Sequence, residues 1–160
     1  MAELILAEGL APDTPGTNRV SLYAKTDGRL YSKDDAGTEY LLSNPTSNSY
    51  TPTLTNVANI AASTAYLCYY TRIGNVVTVS GRVDIDPTVA TISTQLGISL
   101  PIPTSFSGED LFGIATSPSV QGYSAAIFAD ATNDRAQLQF VVGTDVANRG
   151  WYFTFTYIIL

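Results

Sequence analysis

From residue 74 to residue 86 the chain alternates without a break. Val77, Val79, Gly81, Val83 and Ile85 share one parity, and Thr78, Ser80, Arg82, Asp84 and Asp86 share the other. Successive strand side chains point to opposite faces, so the pattern predicts a long strand with one buried and one wet face. Gly74-Asn75 is a turn signal before it. Asp86-Pro87 stops it, because proline has no amide for a ladder. Residues 66–73, rich in Tyr and β-branched side chains, predict the other arm of a hairpin through that turn.

The same period recurs downstream. Residues 96–102 keep their aliphatics on one parity, and Pro101 and Pro103 put the end of that strand at a sheet edge. Strands follow at 111–116, 123–129 and 135–142, separated by Pro-, Asn- and Gly-bearing turns, and 151–160 places Trp151, Phe153, Phe155, Tyr157 and Ile159 on one face. No window has a 3.6-residue period. The expectation is an all-β fold in which residues 50–160 form a jelly-roll-like antiparallel β-sandwich.

The N-terminal part reads differently. Residues 19–42 predict a small three-strand meander with turns at Thr26-Asp27-Gly28 and Asp34-Asp35-Ala36-Gly37, Asp-Gly supplying the positive φ of a tight turn. Two dozen residues cannot bury a core alone, so the meander must pack on something else. Residues 1–18 combine the apolar triplet Leu4, Ile5, Leu6 with Pro12, Pro15, Gly9 and Gly16, which predicts an extended arm ordered on a partner surface. The polar, breaker-rich stretch 43–49 reads as a linker.

Composition narrows the function classes. The net charge of −6 repels phosphates and anionic membrane surfaces, which argues against direct nucleic-acid binding. No stretch approaches the roughly 18 apolar residues of a membrane helix, and the acidic N-terminus lacks the basic start of a signal peptide, so synthesis in a cytoplasm is expected. The chain has no histidine, which removes the Ser-His and Cys-His nucleophile pairs and the commonest metal ligand. Asp84 with Asp86, Glu109 with Asp110, and Asp130 with Asp134 are near pairs of carboxylates. The first reads as a solvated strand end without the further ligands of a calcium loop, and the others sit in turns. Cys68, the single cysteine, reads as a small buried hydrophobe. No catalytic residue, cofactor or metal site is expected. The ten tyrosines favour contact surfaces, with Tyr23, Tyr31 and Tyr69, together with Trp151, Phe153 and Phe155, as the interface candidates.

The segment RVSLYAKTDGRLYSKDDAGTEYLL resembles a short module near the start of many tailed-bacteriophage virion proteins. YTPTLTNVANIAAST, GNVVTVSGRVDIDPT, LGISLPIP, AAIFADATNDRAQLQF and WYFTFTY resemble a C-terminal β domain of phage fibre and structural proteins. The resemblance implies a homotrimer on the virion. Taken as a whole chain without a shaft, the sequence fits a capsid decoration (cement) protein on the phage head surface. In that reading Leu4, Ile5 and Leu6 grip the major capsid protein. The alternative is a short tail fibre or receptor-binding protein that recognises a host surface glycan.

Overall fold

The computed structural model describes residues 6–42, 46–120 and 122–159, which form strands and turns and no helix. The chain divides into two compact units, Met1–Pro45 and Thr46–Leu160.

In the first unit β1 (Glu8–Gly9), β2 (Ser21–Lys25), β3 (Leu30–Lys33) and β4 (Glu39–Leu41) form one sheet in chain order. β2, β3 and β4 are the expected antiparallel meander, with Tyr23 opposite Tyr31 and Ser32 opposite Tyr40. Each turn is built on an aspartate. Asp27 accepts the Arg29 amide at 3.1 Å and the Tyr31 hydroxyl at 2.8 Å, while Asp34 accepts the Ala36 and Thr38 amides at 3.0 and 2.8 Å. Such bonds satisfy amides that the turn withdraws from the ladder.

The stretch read as an extended arm joins this sheet. Glu8 and Gly9 pair in parallel with Ala24 and Lys25. The Lys33 ammonium donates to the Pro12 carbonyl at 2.9 Å, and the Asn18 amide donates to Asp35 at 2.6 Å. The expected three strands are therefore four, and residues 8–18 lie along their own meander. The physical reason is the one that makes the meander marginal: a small sheet gains from any strand that pairs with its free edge.

The second unit contains β5 (Thr46–Tyr50), β6 (Leu54–Ala58), β7 (Ile60–Ala65), β8 (Cys68–Ile73), β9 (Val76–Pro87), β10 (Ser93–Ile98), β11 (Leu111–Thr116), β12 (Ser124–Asp130), β13 (Arg135–Val141) and β14 (Arg149–Ile158). They form a curled antiparallel sheet in the order β5-β8-β9-β14-β11-β12-β13-β10-β6, with β7 also on β9. The fold is all-β and sandwich-like. Its core is the inward parity of these strands: Val77, Val79, Val83, Ile85, Leu96, Ile98, Leu138 and Tyr157 are all fully buried.

β9 is the expected long strand, and it works on two sides. β14 pairs with it from Val76 to Ile85. On the other side β8 covers its first half and β7 its second, Tyr69 standing opposite Ser80 and Ala65 opposite Val83. The register advances by one residue between those pairs, so β7 and β8 are one strand interrupted by a bulge, with Leu67 and Cys68 facing the Gly81 position. A Cβ on Gly81 would lie 2.1 Å from Cys68 Sγ. Glycine is needed there because the thiol fills the place of its side chain.

Two expectations change. The end of the stretch read as a linker, Thr46 onward, is strand β5, hydrogen-bonded to β8 from Thr46–Arg72 to Tyr50–Cys68. The strand ending before Pro101 is not at a sheet edge, since β10 lies between β13 and β6. The prolines fall after Ile98, where the ladder has already ended.

Candidate interaction surfaces

The sequence-predicted contact residues separate into core and surface. Trp151, Phe153 and Phe155 are buried in this chain's own core, where Trp151 packs against Phe140 at 4.1 Å between centroids and stacks on Tyr123 at 6.1 Å. That corrects their reading as interface positions: the aromatic face of β14 is covered by strands of the same chain. Tyr23 is buried in the first unit and stacks on the half-buried Tyr31 at 6.0 Å. Tyr69 is exposed, at 61 %. Leu4 and Ile5 lie outside the described residues, and Leu6 is half-buried.

The outward parity of the second unit's sheet carries a surface that sequence reading did not single out. Phe112 and Ile114 on β11 are 71 % and 68 % exposed, and Val141 on β13 is 64 % exposed. Phe112 stands opposite Phe128, and Ile114 opposite Ala126. Thr154 and Thr156 flank them on β14, and Gln137 and Gln139 on β13. The charges on these outward positions are Asp130 and Arg135, which pair with each other at 2.8 Å at the end of β12 and β13. The signal was present as Phe112-Gly113-Ile114. It was unreadable because a strand buried on both faces gives the same short apolar run.

A second cluster sits on the outward parity of β9. Asp84 accepts Nε and Nη2 of Arg82 at 3.0 and 3.1 Å and the Tyr66 hydroxyl at 2.8 Å. The Arg82 guanidinium lies over the Tyr66 and Tyr152 rings, 4.6 and 5.7 Å from their centroids. Gly150 stands opposite Asp84 in the register, and a Cβ there would approach Arg82 Nε to 3.0 Å. The bond to Asp84 raises the Tyr66 pKa, so its hydroxyl remains a donor at neutral pH. The result is an arginine fixed by Asp84 against two exposed aromatic rings.

The first unit also has two unlike faces. One carries Tyr23, Tyr31 and the Lys25–Glu39 ion pair, with Lys25 4.4 Å from the centre of the Tyr31 ring. The other carries Leu22, Leu30, Tyr40 and Leu42, all exposed, as is Val20 just before β2.

Three further members of the near pairs of carboxylates, Asp110, Asp130 and Asp134, accept hydrogen bonds. Asp110 accepts the Ser107 amide and hydroxyl at 2.7 and 2.9 Å, Asp130 accepts from Asn133 and Arg135, and Asp134 accepts the Phe106 amide at 2.9 Å. A shallow depression lined by Tyr123, Phe140, Trp151 and the Asp145–Arg149 pair has space for about one water molecule and none for a small-molecule ligand. Among the described residues no group of three or more Cys, Asp or Glu is placed to hold a metal ion, and no helix is long and apolar enough to cross a membrane. No protein-family model matches the chain, and no curated protein matches it in sequence.

Proposed function

We propose that this chain is a tailed-phage virion protein that works by adhesion, as a capsid decoration protein that trimerises on the head and binds the major capsid protein. The observation that supports this reading is a pair of apolar sheet faces, one on each unit, open to solvent in a chain of net charge −6. Exposed contiguous apolar surface marks contact with other macromolecules. Two such faces on separate units suit a protein that joins one partner to another. The first unit, with Leu22, Tyr40 and Leu42 exposed, takes the capsid side. The second takes the assembly side. Counting copies per particle by quantitative mass spectrometry tests the assignment: hundreds are expected, and a few dozen or fewer would move the protein to the tail.

The Tyr66–Arg82–Tyr152 cluster favours a second reading, receptor binding. Exposed tyrosine rings stack on the apolar face of a sugar ring while a fixed guanidinium donates to its hydroxyls or carboxylate. Binding of the purified protein to a glycan array, lost on Arg82→Ala, is the outcome that this reading requires.

A further inference from the structure

We infer that copies of this chain meet through the uncharged outward face of β14, β11, β12 and β13, with Phe112, Ile114 and Phe128 at the centre of the shared contact. The inference deepens the assembly side of the function proposed above and rests on that reading for its occupant.

The inner faces of these strands are already filled, since Leu111, Ala115, Ile127, Leu138 and Phe155 are buried beneath them. Phe112 and Ile114 therefore add nothing to the chain's own core, yet they occupy the middle of the sheet, where a solvent-facing strand ordinarily carries polar side chains. They are contiguous with Phe128 through direct cross-strand pairing. Outward positions over these four strands occupy a plan area on the order of 400 Å² at strand and residue spacing. The centre of that area is apolar, with Phe112, Ile114 and Phe128 exposed side by side and Thr and Gln around them, the arrangement of an interface core within a polar rim.

Charge identifies the occupant. A chain with 14 acidic and 8 basic residues repels its own copies over most of its surface. Here the flanking positions are Thr and Gln, and Asp130 and Arg135 neutralise each other at the rim. Interface cores are depleted in Asp, Glu and Lys in the same way. A partner of opposite charge finds nothing on this face to recognise, whereas a second copy meets no repulsion. Turned toward a threefold axis, the face brings the same residues of each copy together and closes the assembly.

Light scattering of the full chain at micromolar concentration tests the face. The wild type is expected at about three times the 17.1 kDa chain mass. Phe112→Lys and Ile114→Lys are expected at the single-chain mass with an unchanged far-ultraviolet spectrum. Ile73→Lys, at another exposed aliphatic position, on β8, is expected to keep the wild-type mass. If a lysine variant does not fold, Ile114→Gln replaces it, with at least tenfold weaker association expected. A two-chain wild-type mass that falls to one chain in the face variants still supports the face. A monomeric wild type, face variants that stay assembled, or an Ile73→Lys protein that also dissociates overturns it. Head binding is scored separately, so an intact trimer that ignores phage heads counts against decoration alone.

Discussion

Asn59 turns the sheet back on itself. It separates β6, the last strand of the sheet order and paired with β10, from β7, which pairs with β9, so a single residue joins strands that pair at distant places in the sheet order. Its φ of 56° is left-handed, a conformation that Asn tolerates better than most side chains. The side-chain amide donates to the Val89 carbonyl and the Thr94 hydroxyl at 2.9 and 2.8 Å, and its oxygen accepts from the Thr88 hydroxyl and the Val89 amide at 2.6 and 2.9 Å. One residue therefore ties the corner to the β9–β10 connection. Asn59→Ala, which loses the bonds and strains the backbone, is expected to cost about 2–4 kcal/mol in urea unfolding. Asn59→Gly relieves the strain and is expected to cost less. A second residue-scale contact lies at Gly81. Gly81→Ala puts a methyl 2.1 Å from Cys68 Sγ and 3.2 Å from Phe153 Cζ. Overpacking of this kind costs about 1–3 kcal/mol. Adding Cys68→Ala is expected to restore part of that loss and no more, since the Cys68 Cβ would still lie at 2.8 Å.

Strands with one dry face were legible in the sequence, and strands with two damp ones were not. β9, β11, β13 and β14 were each read within about two residues of their ends because every second side chain enters the core. β5, β6 and β7 have the sequences TSNSY, LTNVA and IAASTA, with Asn48, Asn56 and Ser63 on the inward parity where an aliphatic would signal burial. They are held largely by backbone pairing with few side chains in the core, and backbone pairing leaves no period in a sequence. The same limit hid the outward Phe112 and Ile114, whose pattern does not distinguish a partner chain from a core. In the first unit the turns were legible through Asp-Gly, while the parallel pairing of β1 was not. That unit carries the Lys25–Glu39 ion pair. Lys25 holds the Glu39 carboxyl below its ordinary pKa, with a smaller contribution from Tyr23. A lowered carboxylate stabilises the fold above its unfolded pKa of about 4 and loses that effect as pH falls through the folded value. Melting temperature should therefore be level near neutrality and fall below about pH 4. Glu39→Gln should melt lower than wild type at pH 7, and the two curves should converge toward pH 2.5. A gap that persists in acid would assign the effect to packing.

At the scale of the molecule the two units differ in how much interior they hold. The second unit holds the continuous core and keeps its aromatic strand inside. The first has little interior beyond Tyr23 and leaves Leu22, Tyr40 and Leu42 exposed. A partner that covered them and bound only the folded form would stabilise it by mass action.

The central position of β14 bears on how the protein is made. It lies between β9 and β11, and its Thr156 hydroxyl bonds that of Thr78, 78 positions earlier in the chain, at 3.1 Å. Until β14 arrives, one long edge of β9 is without its neighbour and the core has no Trp151 or Phe155. Loop closure on that scale precedes any return from the contacts it creates, so folding belongs to the slow, milliseconds-to-seconds class of β proteins. During that interval the open β9 edge is a template for another nascent copy. For the self-assembly proposed above, each chain must complete its own sheet before it meets its copies, and the order of those two events decides between particle and aggregate.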